Sequence, residues 1–486
     1  MDGPHAAAEA PIDDRRRRQI IVGVLTAMLL AALDQTIVAP AMTTIGETLG
    51  HAEYLPWIVS AYLVTATAVT PLYGKLADVY GRHPVIIAAV SIFMAASVVC
   101  ALAPNLPVLI VGRALQGLGG GGLMALAQTV IGDIVPPKQR GNYAAYISGM
   151  WAVSGVAGPI VGGAFAEHLH WSLIFWVNIP LGLAALFVMN APLRDLPFRP
   201  KSHRLDVAGA GLVVAATSLA MLALSIGRTG GDWTSPAVLG LAAAAAVGAV
   251  LFAIRLWTFA EPLIPLGVLK DPVVAFGVAT VFFGVLGHLG LSTLVPIYFE
   301  TIAGFRPDVA ALGLVGLAIG TVLGAMTAAR FLVKARRYKA PALAGLSLAI
   351  VMLAALAATL DLRSFWLAEA LLCVYGFGIG TMFPTTTVSV QNAVGRHDLG
   401  AATALLAFMR SLGSAAGVAI LGAAVLGAGL GPEEGGAAAR GVAIDPTNFR
   451  VAFLIAIGTT AVALACLVAM PRRPLRDTLD PVSVES

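Results

Sequence analysis

Along most of the chain the apolar positions do not alternate and do not keep to one face. They run unbroken for about twenty residues, stop at a short polar cluster, and begin again. Crossing hydrocarbon takes about 20 apolar residues per helix, because lipid offers backbone amides no partner and each span must bond to itself. Runs of that length fall at 19–41, 55–74, 85–103, 107–131, 142–166, 171–190, 206–226, 236–257, 272–299, 309–333, 340–360, 364–391, 400–425 and 449–470. The pattern predicts an all-α membrane protein of about fourteen spans.

Composition agrees: 58% of the 486 residues are hydrophobic and only 12% charged, with a mean hydropathy of +0.87. So little polar material cannot cover a soluble surface. An even number of spans puts both ends on one side, and the positive-inside rule selects the cytoplasm. Basic clusters at 15–18, Lys75 and Arg82, Lys138 and Arg140, 199–204, 334–339 and 471–476 then all fall inside. By this topology roughly 22 of the 30 Lys and Arg residues are inside and about 5 outside. The formal charge of +4 reflects that bias and gives no reason to expect nucleic-acid binding. A cleaved signal is disfavoured, because the first apolar run carries Asp34 and leads into thirteen more. Cys100, Cys373 and Cys466 have no paired spacing, so neither a disulfide framework nor a metal site is expected.

The chain also repeats. Laid without a gap, 115–141 over 374–400 matches Gly117 to Gly376, Gly119 to Gly378, Gly121 to Gly380 and Gly141 to Gly400, all at an offset of 259. Gly158 then falls on Gly417, and the fourth and twelfth spans become counterparts. Eight spans of separation where six would serve implies two parallel six-helix bundles with two helices inserted between them. The expected organisation is an N-terminal tail (1–18), an N-terminal bundle (19–191), two inserted helices with linkers (192–262), a C-terminal bundle (263–470) and a C-terminal tail (471–486).

Four stretches carry the chemistry. GKLADVYGRHPV (74–85) packs Lys75, Asp78, Arg82 and His83 between two spans. It is expected to be a tight loop, with Gly74 and Gly81 allowing the reversal. Asp78 has two partners within reach: Arg82, and the free amides of the helix that begins near Leu399. A basic turn serving topology alone is the plainer alternative. LDQTIVAPAM (33–42) places Asp34 in the first span, and GRALQGLGGGG (112–122) places Arg113 in the fourth. Counted from their outer ends, both lie roughly 10 Å deep at 1.5 Å per residue. A charge at such depth suggests function. If the two face the cavity, burial favours protonated Asp34 while Arg113 favours the charged form, which makes a proton switch. A static ion pair between the two helices fits the same residues. The fourth stretch, GPIVGG (158–163), extends from Ser154 as a small-residue face of Ser154, Gly158 and Gly162, with Gly163 beside it and Pro159 expected to bend the helix. A matching stripe, Gly316, Gly320 and Gly324, lies in the tenth span. Thr36, Gln116, His288 and Arg410 are possible cavity residues, whereas Arg330, Glu300 and Glu369 sit near span ends.

Taken together these stretches resemble the major facilitator superfamily. GKLADVYGRHPV is similar to its motif between helices two and three, LDQTIVAPAM to the first-helix motif of the fourteen-span drug:proton antiporters, GRALQGLGGGG to the fourth-helix motif and GPIVGG to the antiporter motif of helix five. The sequence departs at Ala39 and Thr43, where the motif has Asn and Pro, and Asp78 has Arg337 as its repeat counterpart. The resemblance implies a latch at Gly74, Asp78, Gly81 and Arg82 that closes the cytoplasmic ends of the bundles. It also implies a sliding seam where the two glycine stripes meet across the bundles. The function it implies is proton-coupled export of amphipathic small molecules by a monomer in the cell membrane, with no cofactor. An uptake symporter and a lipid or lipid-linked exporter on the same fold stay open. A membrane-embedded enzyme lacks support, since neither HExxH nor GxSxG occurs, and no GxxxxGK[ST] loop for ATP is present.

Overall fold

The computed structural model describes residues 13–50, 54–136, 139–194, 206–230, 234–259, 262, 266–305, 312–334, 338–362, 364–395, 398–426 and 446–475. Among them are fourteen helices long and apolar enough to cross a membrane. In chain order these are α1 (Asp14–Ile37), α2 (Pro56–Tyr80), α3 (Arg82–Ala101), α4 (Leu106–Ile134), α5 (Arg140–His168), α6 (Leu173–Arg194), α7 (Val207–Gly230), α8 (Pro236–Thr258), α9 (Pro272–Thr301), α10 (Val315–Lys334), α11 (Ala340–Thr359), α12 (Phe365–Ala393), α13 (Leu399–Leu426) and α14 (Pro446–Ala469). A segment at 426–448, which its Gly- and Ala-rich sequence leads one to expect as a long outer loop, lies mostly outside the described residues, as do 1–12, 476–486 and Arg337.

Glycine sets which helices meet. A Cβ on Gly117 or Gly121 of α4 would collide with the α2 backbone at Tyr62 and Ala66. One repeat later, Gly376 and Gly380 of α12 press on α10 at Leu317 and Thr321. Gly158 of α5 lies on Thr36 of α1, and its counterpart Gly417 of α13 on Leu286 of α9. The 259-residue offset is thus repeated in the packing, with α1–α6 forming one bundle and α9–α14 the other.

The inserted pair sits to one side. Ala210 and Val213 of α7 pack with Leu72 of α2, and α7 also touches α13, so it rests on a groove shared by both bundles. Behind it, α8 buries little and turns Leu239, Val250 and Trp257 outward, the lipid-facing surface expected of a peripheral span. Asp206, at the start of α7, accepts from Arg255 of α8 at 3.1 Å and ties the pair together.

The stretch 74–85 is not a loop. Helix α2 continues to Tyr80 and α3 begins at Arg82, leaving Gly81 alone as the break. Its φ of +93° lies where a side chain would be strained, which is why one residue suffices for the reversal. Gly74, expected to loosen that turn, lies inside α2 and serves a close approach: a Cβ there would stand 2.5 Å from the Ala404 Cβ and 2.7 Å from the Gly400 oxygen of α13.

Candidate functional site

Asp34 and Arg113 meet, as their matching depth suggests. The Arg113 Nη1 donates to Asp34 Oδ2 at 2.6 Å. Around this bond the first bundle converges. Gln116, one turn after Arg113 on α4, donates to Asp34 Oδ1 at 2.8 Å and accepts from Arg113 at 2.6 Å. Asn178 of α6 donates to the same Oδ1 at 2.9 Å. Ser97 of α3 accepts from Gln116 at 2.8 Å, and the Arg113 Nε reaches the Ile58 carbonyl of α2 at 3.1 Å. The guanidinium also lies 4.5 Å from the centroid of the Tyr62 ring, where a cation is attracted to the aromatic face. Five helices, α1, α2, α3, α4 and α6, therefore contribute to one polar knot.

The knot is closed. Asp34 is 0% exposed and Arg113 1%. Both carboxylate oxygens are satisfied, as a buried charge requires. The condition set for a proton switch, that the pair face the central cavity, is not met in this conformation: the pair lies inside the first bundle. Gln116 belongs to the same knot and lines no cavity. Thr36 is likewise a joint, its hydroxyl donating to the Ser154 carbonyl of α5 at 2.7 Å. Asn178 was missed, although a lone amide in the apolar run IFWVNIPLG was a visible signal; Ser97 gave none.

At the end where the basic residues gather lies a second polar cluster. Asp78 Oδ2 accepts from the Ala401 amide in the first turn of α13 at 3.0 Å, while Arg82 approaches Asp78 Oδ1 at 2.9 Å. The free amides at a helix start carry partial positive charge, so the carboxylate holds α2 of one bundle to α13 of the other. Arg82 in turn donates to Asp133 of α4 at 2.7 Å, a partner sequence reasoning did not name. Nearby, Gln391 of α12 donates to the Gln128 carbonyl of α4 at 3.3 Å and accepts from Arg140 of α5 at 3.4 Å. Both residue pairs join the bundles at this end.

The glycine stripes do not face each other. Gly162 of α5 presses on Ile37 of α1, a Cβ on Gly163 would stand 4.0 Å from the Pro40 Cβ, and α5 is a single helix through Pro159. Gly316, Gly320 and Gly324 of α10 press on Glu369, Cys373 and Phe377 of α12. Each stripe seats a helix of its own bundle, so a seam made by stripe against stripe is not what the structure contains, although α5 and α10 do touch. Glu369 also accepts from the Gly316 amide at 2.8 Å, capping α10. His288 of α9 is buried beside Tyr375 and Phe383 of α12, with ring centroids 6.0 and 6.5 Å away. Arg410 is half-buried near the middle of α13. No group of three His, Cys, Asp or Glu side chains able to hold a metal occurs among the described residues.

Solved structures share this fold. The human organic anion transporter MFSD10 superposes with a TM-score of 0.60 at 17% identity, covering 91% of this chain and 99% of that one. A bacterial homologue of the iron transporter ferroportin, in an outward-facing state, gives 0.65 at 13%, covering 93% and 98%. In sequence, the multidrug transporter protein MdtP of Bacillus subtilis is 33% identical over 84% of this chain and 75% of its own length. The efflux pump dotC of Dothistroma septosporum is 32% identical over 82% and 69%. The family model for the Major Facilitator Superfamily matches residues 24–418, which contain the Asp34 knot, the Asp78 cluster and the second bundle through Gly417, and the chain belongs to that superfamily.

Proposed function

We propose that this protein is a secondary active exporter of amphipathic small molecules, driven by protons moving inward as substrate moves outward. The observation that carries the proton-coupled reading is a carboxylate in the membrane interior, Asp34, held by donors from two other helices and an arginine. Export is supported by the relatives, which include a multidrug transporter and an efflux pump. In this reading the basic end is cytoplasmic, by the charge bias of the connecting segments. The Asp78–Ala401, Gln391–Gln128 and Arg140–Gln391 bonds then close the cytoplasmic side, leaving substrate to depart outward. A single chain supplies both bundles, so a monomer in the cell membrane is sufficient.

The knot would work as follows. Charged Asp34 accepts from Arg113, Gln116 and Asn178 and keeps α1, α4 and α6 together. A proton on the carboxylate removes the charge that Arg113 requires, loosens those three helices and lets the bundles rock. Complete enclosure of Asp34 favours a second reading, in which the knot is a permanent clamp and the transported proton binds elsewhere. Substrate-dependent proton release from proteoliposomes separates the two. Asp34→Asn is expected to abolish coupled efflux; retention of native coupling by a folded mutant would take Asp34 out of the mechanism.

A further inference from the structure

Arg410 lies near mid-membrane in α13 and is half-buried, yet it has no hydrogen-bond or ion-pair partner among the described residues. Its direction follows from its neighbours. Ala407, three residues earlier, packs against Ala125 of α4 in the first bundle. A Cβ on Gly413, three residues later, would stand 2.5 Å from the Phe282 carbonyl of α9. Three residues turn a helix to within about 60° of its start, so Arg410 projects midway between those directions, into the wedge between α4 and α9. It faces the interior of the molecule.

Carboxylates elsewhere in the bundles are committed: Asp34 to Arg113, Asp78 and Asp133 to Arg82, and Glu369 to the Gly316 amide. A guanidinium in this setting is costly unless an anion meets it. A second, independent observation comes from α9 and α12. His288 is 8% exposed and Tyr375 1%, and neither the His288 Nδ1 nor the Tyr375 hydroxyl has a partner among the described residues. Gly413 and Gly417 lie against Phe282 and Leu286, which fixes the register of α13 on α9. Carried along that register, His288 stands level with residue 419, nine residues or roughly 13 Å farther along the helix axis than Arg410.

We propose that the second bundle binds an anionic amphipath, with its acidic group on Arg410 and a hydrogen-bonding group, offset by roughly 13 Å along the helix axes, on His288 and Tyr375, against the Phe383 ring. This deepens the export reading by naming a substrate class, and it is tested by binding alone. Full-length protein in phosphatidylcholine nanodiscs is titrated with a hydroxynaphthyl-terminated hexanoate and with its amide and amine counterparts. The carboxylate is expected to bind at least about tenfold more tightly than either, as a charge-assisted bond implies. Arg410→Gln should erase that preference, Arg410→Lys should keep part of it, and Tyr375→Phe should weaken all three ligands together. Without ligand, Arg410→Gln should raise the unfolding temperature, because it removes an unpaired charge; a structural arginine would give the opposite sign. Displacement of the carboxylate by phosphatidylglycerol supports the site and assigns it to lipid headgroups. Equal binding of the three probes by the native protein, or an unchanged carboxylate affinity in Arg410→Gln, overturns the proposal. Carboxylate binding without proton release would leave the site standing and remove only the coupled-export reading.

Discussion

Replacing Asp34 by Asn tests whether the polar knot is one cooperative unit. The change keeps the shape but exchanges a charged acceptor for a neutral amide, so one of the two carboxylate positions turns from acceptor to donor. Arg113 would still hold the Ile58 carbonyl, Gln116 Oε1 and the face of Tyr62. Because these remain, the loss should fall at the lower end of that for breaking a buried ion pair, about 3 kcal/mol. Arg113→Gln should cost a similar amount, since Asp34 keeps Gln116 and Asn178 but loses its counter-charge. In the double mutant the second change removes a group already left unpaired. The combined loss should therefore fall short of the sum by about 2 kcal/mol, within the range for residues in direct contact. Equilibrium unfolding in nanodiscs, measured on the native protein, both single mutants and the double, gives this coupling directly. Additive losses would show that the 2.6 Å bond carries no shared energy and would refute the account of the knot.

Asp78→Asn should weaken the hold on the α13 amide by about 1 kcal/mol and shift the population toward opening at the basic end, read as a longer distance between spin labels at the ends of α2 and α13. Gly400→Ala should act in the same direction, because its Cβ would stand 2.5 Å from Asp78 Oδ1; an unchanged distance distribution in both variants would remove the latch. Gly320→Ala should destabilise by about 1–3 kcal/mol, since its Cβ would overlap the Cys373 carbonyl, whereas Gly458→Ala, with open space around it, should be neutral in the same thermal assay. Arg255→Met should loosen α8 from α7, seen as faster hydrogen exchange in both, while leaving the Asp34 knot protected.

Much of the fold was readable one segment at a time. Whether a stretch crosses hydrocarbon depends on its own length and on its own backbone bonds, so the fourteen spans and the glycine repeat could be located without knowing any neighbour. The Asp34–Arg113 pair was legible for a related reason, because rise per residue converts sequence position into depth. So was the Asp78 contact, since every helix start presents free amides wherever it lies. Rotation about each helix axis was not legible. The small-residue faces of α5 and α10 promised close packing, but only the assembled bundles show that they seat α1 and α12. The same freedom decided that Asp34 turns into its own bundle, that Gln116, Asn178 and Ser97 close around it, and that Asp133 completes the Arg82 cluster. Lipid tails are as apolar as leucine, so the bilayer fixes that a helix spans but not which way its polar residues turn; packing and interhelical hydrogen bonds fix that, and they exist only once the partners are in place.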